Sequence, residues 1–91
     1  MSDLQAQRTL LEFPCDFPIK IMGQASDEFR SLVLGIVTRH FGDLPPDRIE
    51  ERPSGNGKYL SITCTVRATG KAQLDALYTD LTSCRQVLVA L

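Results

Sequence analysis

Histidine, the side chain that most often carries out acid–base catalysis, is scarce in this sequence, because His40 is its only one. General acid–base chemistry needs a titratable pair held in a pocket. His40 falls near the end of a predicted amphipathic helix, where cationic side chains commonly interact with terminal carbonyl groups. We therefore predict a capping or packing role for His40, while a Ser–His or Cys–His pair stays open as the alternative.

Cysteines are also few, and Cys15, Cys64 and Cys84 form no CxxC pair. An odd count at these spacings argues against a disulfide framework and against a zinc site. The acidic pair Glu50 and Glu51 lies on a predicted strand, where neighbouring side chains point to opposite faces and do not readily share one metal ion. We expect three reduced thiols, no metal and no cofactor. A thiol-dependent enzyme that uses Cys64 or Cys84 is the alternative.

The sequence has no stretch that approaches the roughly 18 apolar residues typical of a membrane span. Residues 1–11 lack the apolar core of a secretory signal, so we expect a cytoplasmic protein without a membrane partner. The formal net charge is −1, which predicts no general attraction to nucleic acid.

The 91 residues have the composition typical of one globular domain, with 43% apolar and 23% charged residues. Residues 1–12 have weak periodicity and are predicted to form a flexible lead-in. Residues 13–91 are predicted to form a single domain with one modest core.

Hydrophobic periodicity predicts the order strand, helix, strand, strand, helix, strand. Apolar residues alternate over residues 17–22 and 59–68, which is typical of half-buried strands. They recur every three or four residues after the predicted N-caps Ser26 and Thr69, which is typical of amphipathic helices. The charged segment 47–53 suits an edge strand, and residues 85–91 form the last strand.

This order defines an α+β domain of ferredoxin-like type, a βαββαβ sandwich. We predict a four-stranded antiparallel sheet in the spatial order 4-1-3-2, with both helices on one face. Gly35 inside the first helix costs about 1 kcal/mol relative to Ala, and we expect close packing against a strand to compensate. The covered face should hold the apolar residues Phe17, Ile19, Ile21, Leu60, Ile62, Cys64 and Val66.

The other sheet face is left open and offers Lys20, Ser61, Thr63 and Thr65 as candidate interface residues. Such a face can pair with a second copy, so a two-fold homodimer is the expected assembly, with an ordinary solvated face as the alternative. Sheets that bind RNA stack bases on aromatic side chains, whereas this face has only Tyr59 near one end. Nucleic acid is therefore not an expected partner.

The junction between the first strand and the first helix is the candidate ligand site, formed by Gly23, Gln24, Ser26 and Asp27. Free N–H groups at a helix start point outward, and Gly23 would allow close approach by a ligand. Gln24 and Ser26 would add polar contacts. The alternative is a tight turn followed by an ordinary N-cap.

The segments Leu11–Pro14, Phe17–Gly23, Gly57–Thr63 and Leu77–Leu81 closely resemble the YbeD family of small bacterial proteins. The resemblance covers nearly the whole predicted domain. It implies a fold similar to the ACT-type regulatory domains of amino-acid enzymes, whose small effectors bind around the corresponding junction. It also implies a cytoplasmic protein encoded close to lipoate-attachment genes, and it carries over no catalytic residues.

The sequence thus favours a non-enzymatic regulatory or adaptor domain. It would bind a small-molecule effector or a partner enzyme, and the resemblance implies a link to lipoate metabolism. An RNA-binding module and a thiol-dependent enzyme are the alternatives.

Overall fold

The computed structural model describes residues 12–91, so the predicted lead-in over residues 1–12 lies outside it except for its last residue. The described part follows the predicted order, with a short 3-10 helix at Pro46–Arg48 before the second strand. We number the elements along the chain: β1 Cys15–Gln24, α1 Asp27–Phe41, β2 Ile49–Ser54, β3 Tyr59–Ala68, α2 Lys71–Thr82 and β4 Val87–Ala90.

The sheet is antiparallel, and its spatial order β2-β3-β1-β4 is the predicted order 4-1-3-2 seen from the other edge. The two central strands, β1 and β3, pair along their whole length, from Cys15 opposite Ala68 to Gln24 opposite Tyr59. The shorter strands β2 and β4 form the two edges. The predicted ferredoxin-like fold is therefore confirmed.

The core lies between one face of the sheet and both helices. Each central strand buries alternate residues, and Ile19, Ile21, Ile62, Cys64 and Val66 are all 0% exposed. The helices add Phe29, Val33, Ile36, Val37, Leu74, Leu77 and Leu81 to the same cluster. Each such side chain stabilises the fold by about 1.5–3 kcal/mol relative to an exposed one. Of the predicted core residues, Phe17 is only half-buried.

Helix α1 begins at the predicted cap, because the Ser26 hydroxyl accepts the Phe29 N–H at 2.9 Å. Asp27 and Glu28 place negative charge in its first turn, where it interacts favourably with the helix dipole. Gly42 ends the helix at a φ of 79°, a left-handed conformation that disfavours other residues.

The predicted N-cap of α2 was wrong by one residue, because Gly70 and not Thr69 occupies the cap position. Gly70 has no side chain with which to cap the helix. Instead the Thr69 N–H and hydroxyl both donate to Oε1 of Gln73, at 2.9 and 3.0 Å. A side chain from the first turn therefore reaches back and fixes the entry into the helix.

The expected packing of Gly35 against a strand was also wrong. Gly35 is exposed on the solvent side of α1, and a Cβ atom added there would meet nothing within 4 Å. The helix tolerates this residue because most helical stability comes from the packing of its apolar stripe.

Candidate functional site

The sheet face opposite the helices carries no covering layer among residues 12–91. Directly paired residues on adjacent strands share a face, so the register identifies its members. We call these residues the uncovered face: Asp16, Pro18, Lys20, Met22, Gln24, Glu50, Arg52, Ser54, Tyr59, Ser61, Thr63, Thr65, Arg67, Val89 and Leu91.

The four predicted interface residues all lie on the uncovered face, but they differ in exposure. Lys20 is exposed, whereas Thr63 and Thr65 are half-buried. Ser61 is only 6% exposed, between its cross-strand neighbours Met22 and Arg52. Ser61 therefore offers little surface to a partner, because long side chains on both adjacent strands flank it.

Charges on this face are mostly paired with one another. Arg52 contacts Glu50 at 2.6 Å, and Asp16 contacts Arg48 at 3.1 Å and Arg67 at 3.5 Å. The hydrogen bond from Arg48 is the main cause that lowers the pKa of Asp16 below its ordinary value of 3.8. These pairs are exposed, so each contributes little to stability.

Lys20 differs from these residues because it forms no salt bridge within the described range. It lies near the middle of the sheet, opposite Thr63 on β3 and opposite Leu91 beyond β4. An exposed, unpaired ammonium group at this position is available to a carboxylate on a partner.

Strand β4 adds an apolar rim that sequence reasoning had not singled out. Leu88, Val89 and Leu91 are 56%, 41% and 67% exposed. The signal in the sequence is the absence of any polar residue from 87 to 91. An edge strand with one exposed flank normally carries polar or charged residues, so this run indicates a contact surface.

At the predicted ligand junction, Gly23 is buried. A Cβ atom there would overlap the Phe29 ring and the Gln86 carbonyl oxygen. The glycine is thus required by the packing of this chain against itself. Gln24 is exposed on the uncovered face opposite Tyr59, away from the helix.

Ser26 and Asp27 do line a shallow open cleft of ≈ 520 Å³, together with Arg30 and Glu51. Arg30 contacts Asp27 at 2.9 Å and Glu51 at 2.8 Å. Two carboxylates around one guanidinium leave a net negative charge. The junction is therefore better suited to a positively charged group than to an anion, despite the helix dipole.

Replacing Ser26 with Ala separates the capping role from a ligand role. We expect the free energy of unfolding to fall by about 1 kcal/mol without any ligand, because the Phe29 N–H loses its acceptor. Urea unfolding measures this loss, and Ser54→Ala on the exposed edge strand β2 is the control. Equal stabilities of the two variants would contradict a capping role.

His40 interacts with a carboxylate that the sequence did not reveal. Its Nε2 lies 2.7 Å from Oδ2 of Asp80 and thus connects the end of α1 to α2. Arg39 lies 3.7 Å from the same oxygen, and Gln73 donates to the His40 carbonyl at 3.3 Å. Residues 40 apart in sequence come together only through helix packing, so spacing could not indicate the pair. These contacts support a packing role.

The three thiols differ in burial, and Cys64 lies in the core as predicted. Burial is the main cause that raises the pKa of Cys64 to about 11. Cys15 and Cys84 are half-buried, and Cys84 Sγ donates to the Asp80 carbonyl at 3.5 Å. Cys64 is therefore a poor nucleophile, because a thiol reacts as its thiolate.

Alkylation is expected to be at least about 10-fold slower at Cys64 than at Cys15 and Cys84 in the folded protein. The difference should vanish in urea, as followed by peptide mass spectrometry. The free energy of unfolding should also fall between pH 9.0 and about 11, since the unfolded thiol ionises first. Rapid modification of Cys64 in the native state would contradict this assignment.

Other classes of site find no support in the described range. No group of three or more potential metal ligands occurs among residues 12–91. Within the same range, no helix is long and apolar enough to cross a membrane.

Fold and site together define a small ferredoxin-like domain with an uncovered sheet face and an apolar edge. The family model described as "Protein of unknown function (DUF493)" matches residues 8–91. A UPF0250 protein of Janthinobacterium sp. is 49% identical over 83 residues, which cover 91% of each chain. The UPF0250 protein NE1487 of Nitrosomonas europaea is 49% identical over 75 residues, covering 82% of this chain and 86% of that one.

The chain belongs to the DUF493 family, whose UPF0250 members are the YbeD family that its motifs resemble. The solution structure of protein HP0495 from H. pylori is similar, with a TM-score of 0.72 over 100% of this chain and 96% of that chain. Its sequence identity is 13%, so this likeness supports the fold alone.

Proposed function

We propose that this protein is a non-enzymatic adaptor or regulatory domain that docks onto a partner enzyme through its uncovered face. The observation that carries the proposal is the bare sheet, which presents the unpaired Lys20 beside Met22 and an apolar rim. Interfaces of this kind combine an apolar centre with charged groups that determine specificity and orientation.

A catalytic role has weaker support. Catalysis by a thiol or hydroxyl needs a base within hydrogen-bond reach of the nucleophile. His40 instead contacts Asp80, and Cys64 is buried in the core. RNA binding is also less well supported, since Tyr59 is the one aromatic side chain of the uncovered face and is half-buried.

The resemblance that links the family to lipoate-attachment genes suggests the class of partner. A cytoplasmic enzyme of lipoate attachment is the first candidate, and it would present a carboxylate to Lys20 within an apolar surface. Docking through the uncovered face would leave both helices outside the interface, because they lie on the opposite face of the sheet.

Capture from bacterial lysate with three baits tests the proposal. The baits are the wild-type chain, Lys20→Glu on the uncovered face, and Lys71→Glu at the start of α2 as the charge-matched control. We expect a partner that binds the wild type and the control but loses at least about 10-fold in affinity with Lys20→Glu. Equal binding by all three baits would contradict docking through this face.

A sensor of cationic metabolites is a second candidate, favoured by the acidic cleft at Asp27, Arg30 and Glu51. A ligand at about 100 times its Kd should add about 2.7 kcal/mol to the free energy of unfolding. Thermal-shift measurements with amines and basic amino acids test this, and the Asp27→Asn variant, which lacks one of the two carboxylates, is the control. If no compound raises the melting temperature, sensing is excluded and docking stands alone.

A further inference from the structure

The two edges of the sheet differ sharply in charge. Strand β2 carries Glu50, Glu51, Arg52 and Pro53, which are all exposed and of the types that block pairing with another strand. Strand β4 carries no charged residue and exposes its largest side chains. One edge is thus protected against strand addition, whereas the other is not.

Backbone geometry shows which groups of β4 are available. The Leu91 N–H donates to the Lys20 carbonyl at 2.8 Å, and the Lys20 N–H donates to the Leu91 carbonyl at 3.1 Å. Hydrogen-bonding directions alternate along a strand, so the N–H and C=O of Ala90 point away from β1. They lie at the outer edge of the sheet, between the exposed side chains of Val89 and Leu91.

We propose that β4 pairs with β4 of a second copy of this chain, in an antiparallel arrangement about a two-fold axis near Ala90. The two Ala90 residues then exchange N–H···O bonds. Each Val89 lies opposite Leu91 of the partner subunit, so the exposed apolar groups cover one another. The result is a continuous eight-stranded sheet, closed by symmetry and ending on both sides in a protected β2.

Charge favours a second copy as the occupant. Pairing of β4 with itself places no charged side chains opposite one another, because the side chains of residues 87–91 are all apolar. Among the side chains of residues 12–91, the nearest one with an unpaired charge is Lys20 on β1, and three strand spacings separate the two copies of it, about 14 Å. That distance exceeds the Debye length of about 8 Å at physiological salt. Addition of β4 to the charged β2 edge would instead create an open filament.

The contact is short, so the expected association is weak. Interfaces below about 1,200 Å² typically belong to transient complexes. The dimer leaves the part of the uncovered face on β1, β2 and β3 accessible on both subunits. It covers Val89 and Leu91 at the apolar rim, whereas Lys20 on β1 stays accessible. The two proposals are therefore tested by different substitutions, Lys20→Glu for docking and Val89→Lys for the dimer, and each can fail without the other.

Sedimentation equilibrium on the full chain tests the proposal between about 10 µM and about 1 mM, the range of weak complexes. We expect the wild type to pass from monomer to dimer with rising concentration. Val89→Lys should raise the dissociation constant at least about 10-fold, because it places two charges at the contact. Ser54→Lys adds the same charge at the opposite edge and should leave the dissociation constant unchanged.

Circular dichroism checks that each variant is folded, and Leu91→Lys replaces Val89→Lys if that variant unfolds. A wild-type chain that remains monomeric up to about 1 mM would overturn the proposal. A dimer whose dissociation constant is unchanged by a folded lysine variant at β4 would also overturn it, because another surface would then hold the two copies together.

Discussion

Phe29→Ala is expected to lower the free energy of unfolding by about 3–5 kcal/mol, the range for a fully buried aromatic side chain. The Phe29 ring is 1% exposed and lies in the first turn of α1, where it packs over Gly23 of β1. Its loss leaves a cavity between helix and sheet at the start of α1. Because domains of this size are stable by only about 5–15 kcal/mol, this loss is a large fraction of the total stability.

Chemical denaturation followed by circular dichroism measures this loss. Leu88→Ala is the control, since that side chain is 56% exposed and its removal should change the stability by no more than about 0.5 kcal/mol. Similar small effects for both variants would show that the Phe29 ring does not belong to the core.

Gly23→Ala is expected to cost about 2–3 kcal/mol through overpacking. The added methyl group would overlap the Phe29 ring and the carbonyl oxygen of Gln86, and the latter is backbone that precedes β4. Relief would require α1 or the start of β4 to move away from the sheet. The strand-to-helix junction is therefore constrained by packing.

Gly35→Ala provides the matched control for this substitution. Gly35 lies in the interior of α1, and nothing occupies the space around its missing side chain. Alanine should therefore raise the stability by about 0.5–1 kcal/mol, because it has the higher helix propensity. The same chemical change thus has opposite expected signs at the two sites. A stabilising Gly23→Ala variant, measured by urea unfolding, would contradict the proposed packing.

Much of the fold could be predicted from the sequence, because its signals are local. Alternation over β3 assigned Ile62, Cys64 and Val66 to the covered face, and all three are fully buried. Ser26 before an acidic first turn correctly located the start of α1. These patterns reflect strand and helix periods, which operate within a few residues.

What the sequence could not supply concerns contacts between distant residues. The exposure of Gly35, the burial of Ser61 and the pair His40–Asp80 all depend on how the elements pack. The cap at Gly70 depends on a side chain one turn later reaching back to Thr69. Periodicity identifies which face of an element is apolar but not which residue from another element lies against it.

Strand β4 is short, so the first half of β1 has a neighbouring strand on one side only within the described residues. Strand β4 and Leu91 pair only with residues 20–23 of β1, and no other described strand lies on that side of β1. The outward amide of Asp16 therefore has no strand to accept its hydrogen bond. Pro18, the next residue that faces this side, has no backbone N–H. The amides of Phe17 and Ile19 point the other way, towards β3. In hydrogen–deuterium exchange, the backbone amide of Asp16 should therefore exchange quickly. The amide of Ile19, in the same strand, should exchange only when the whole domain unfolds.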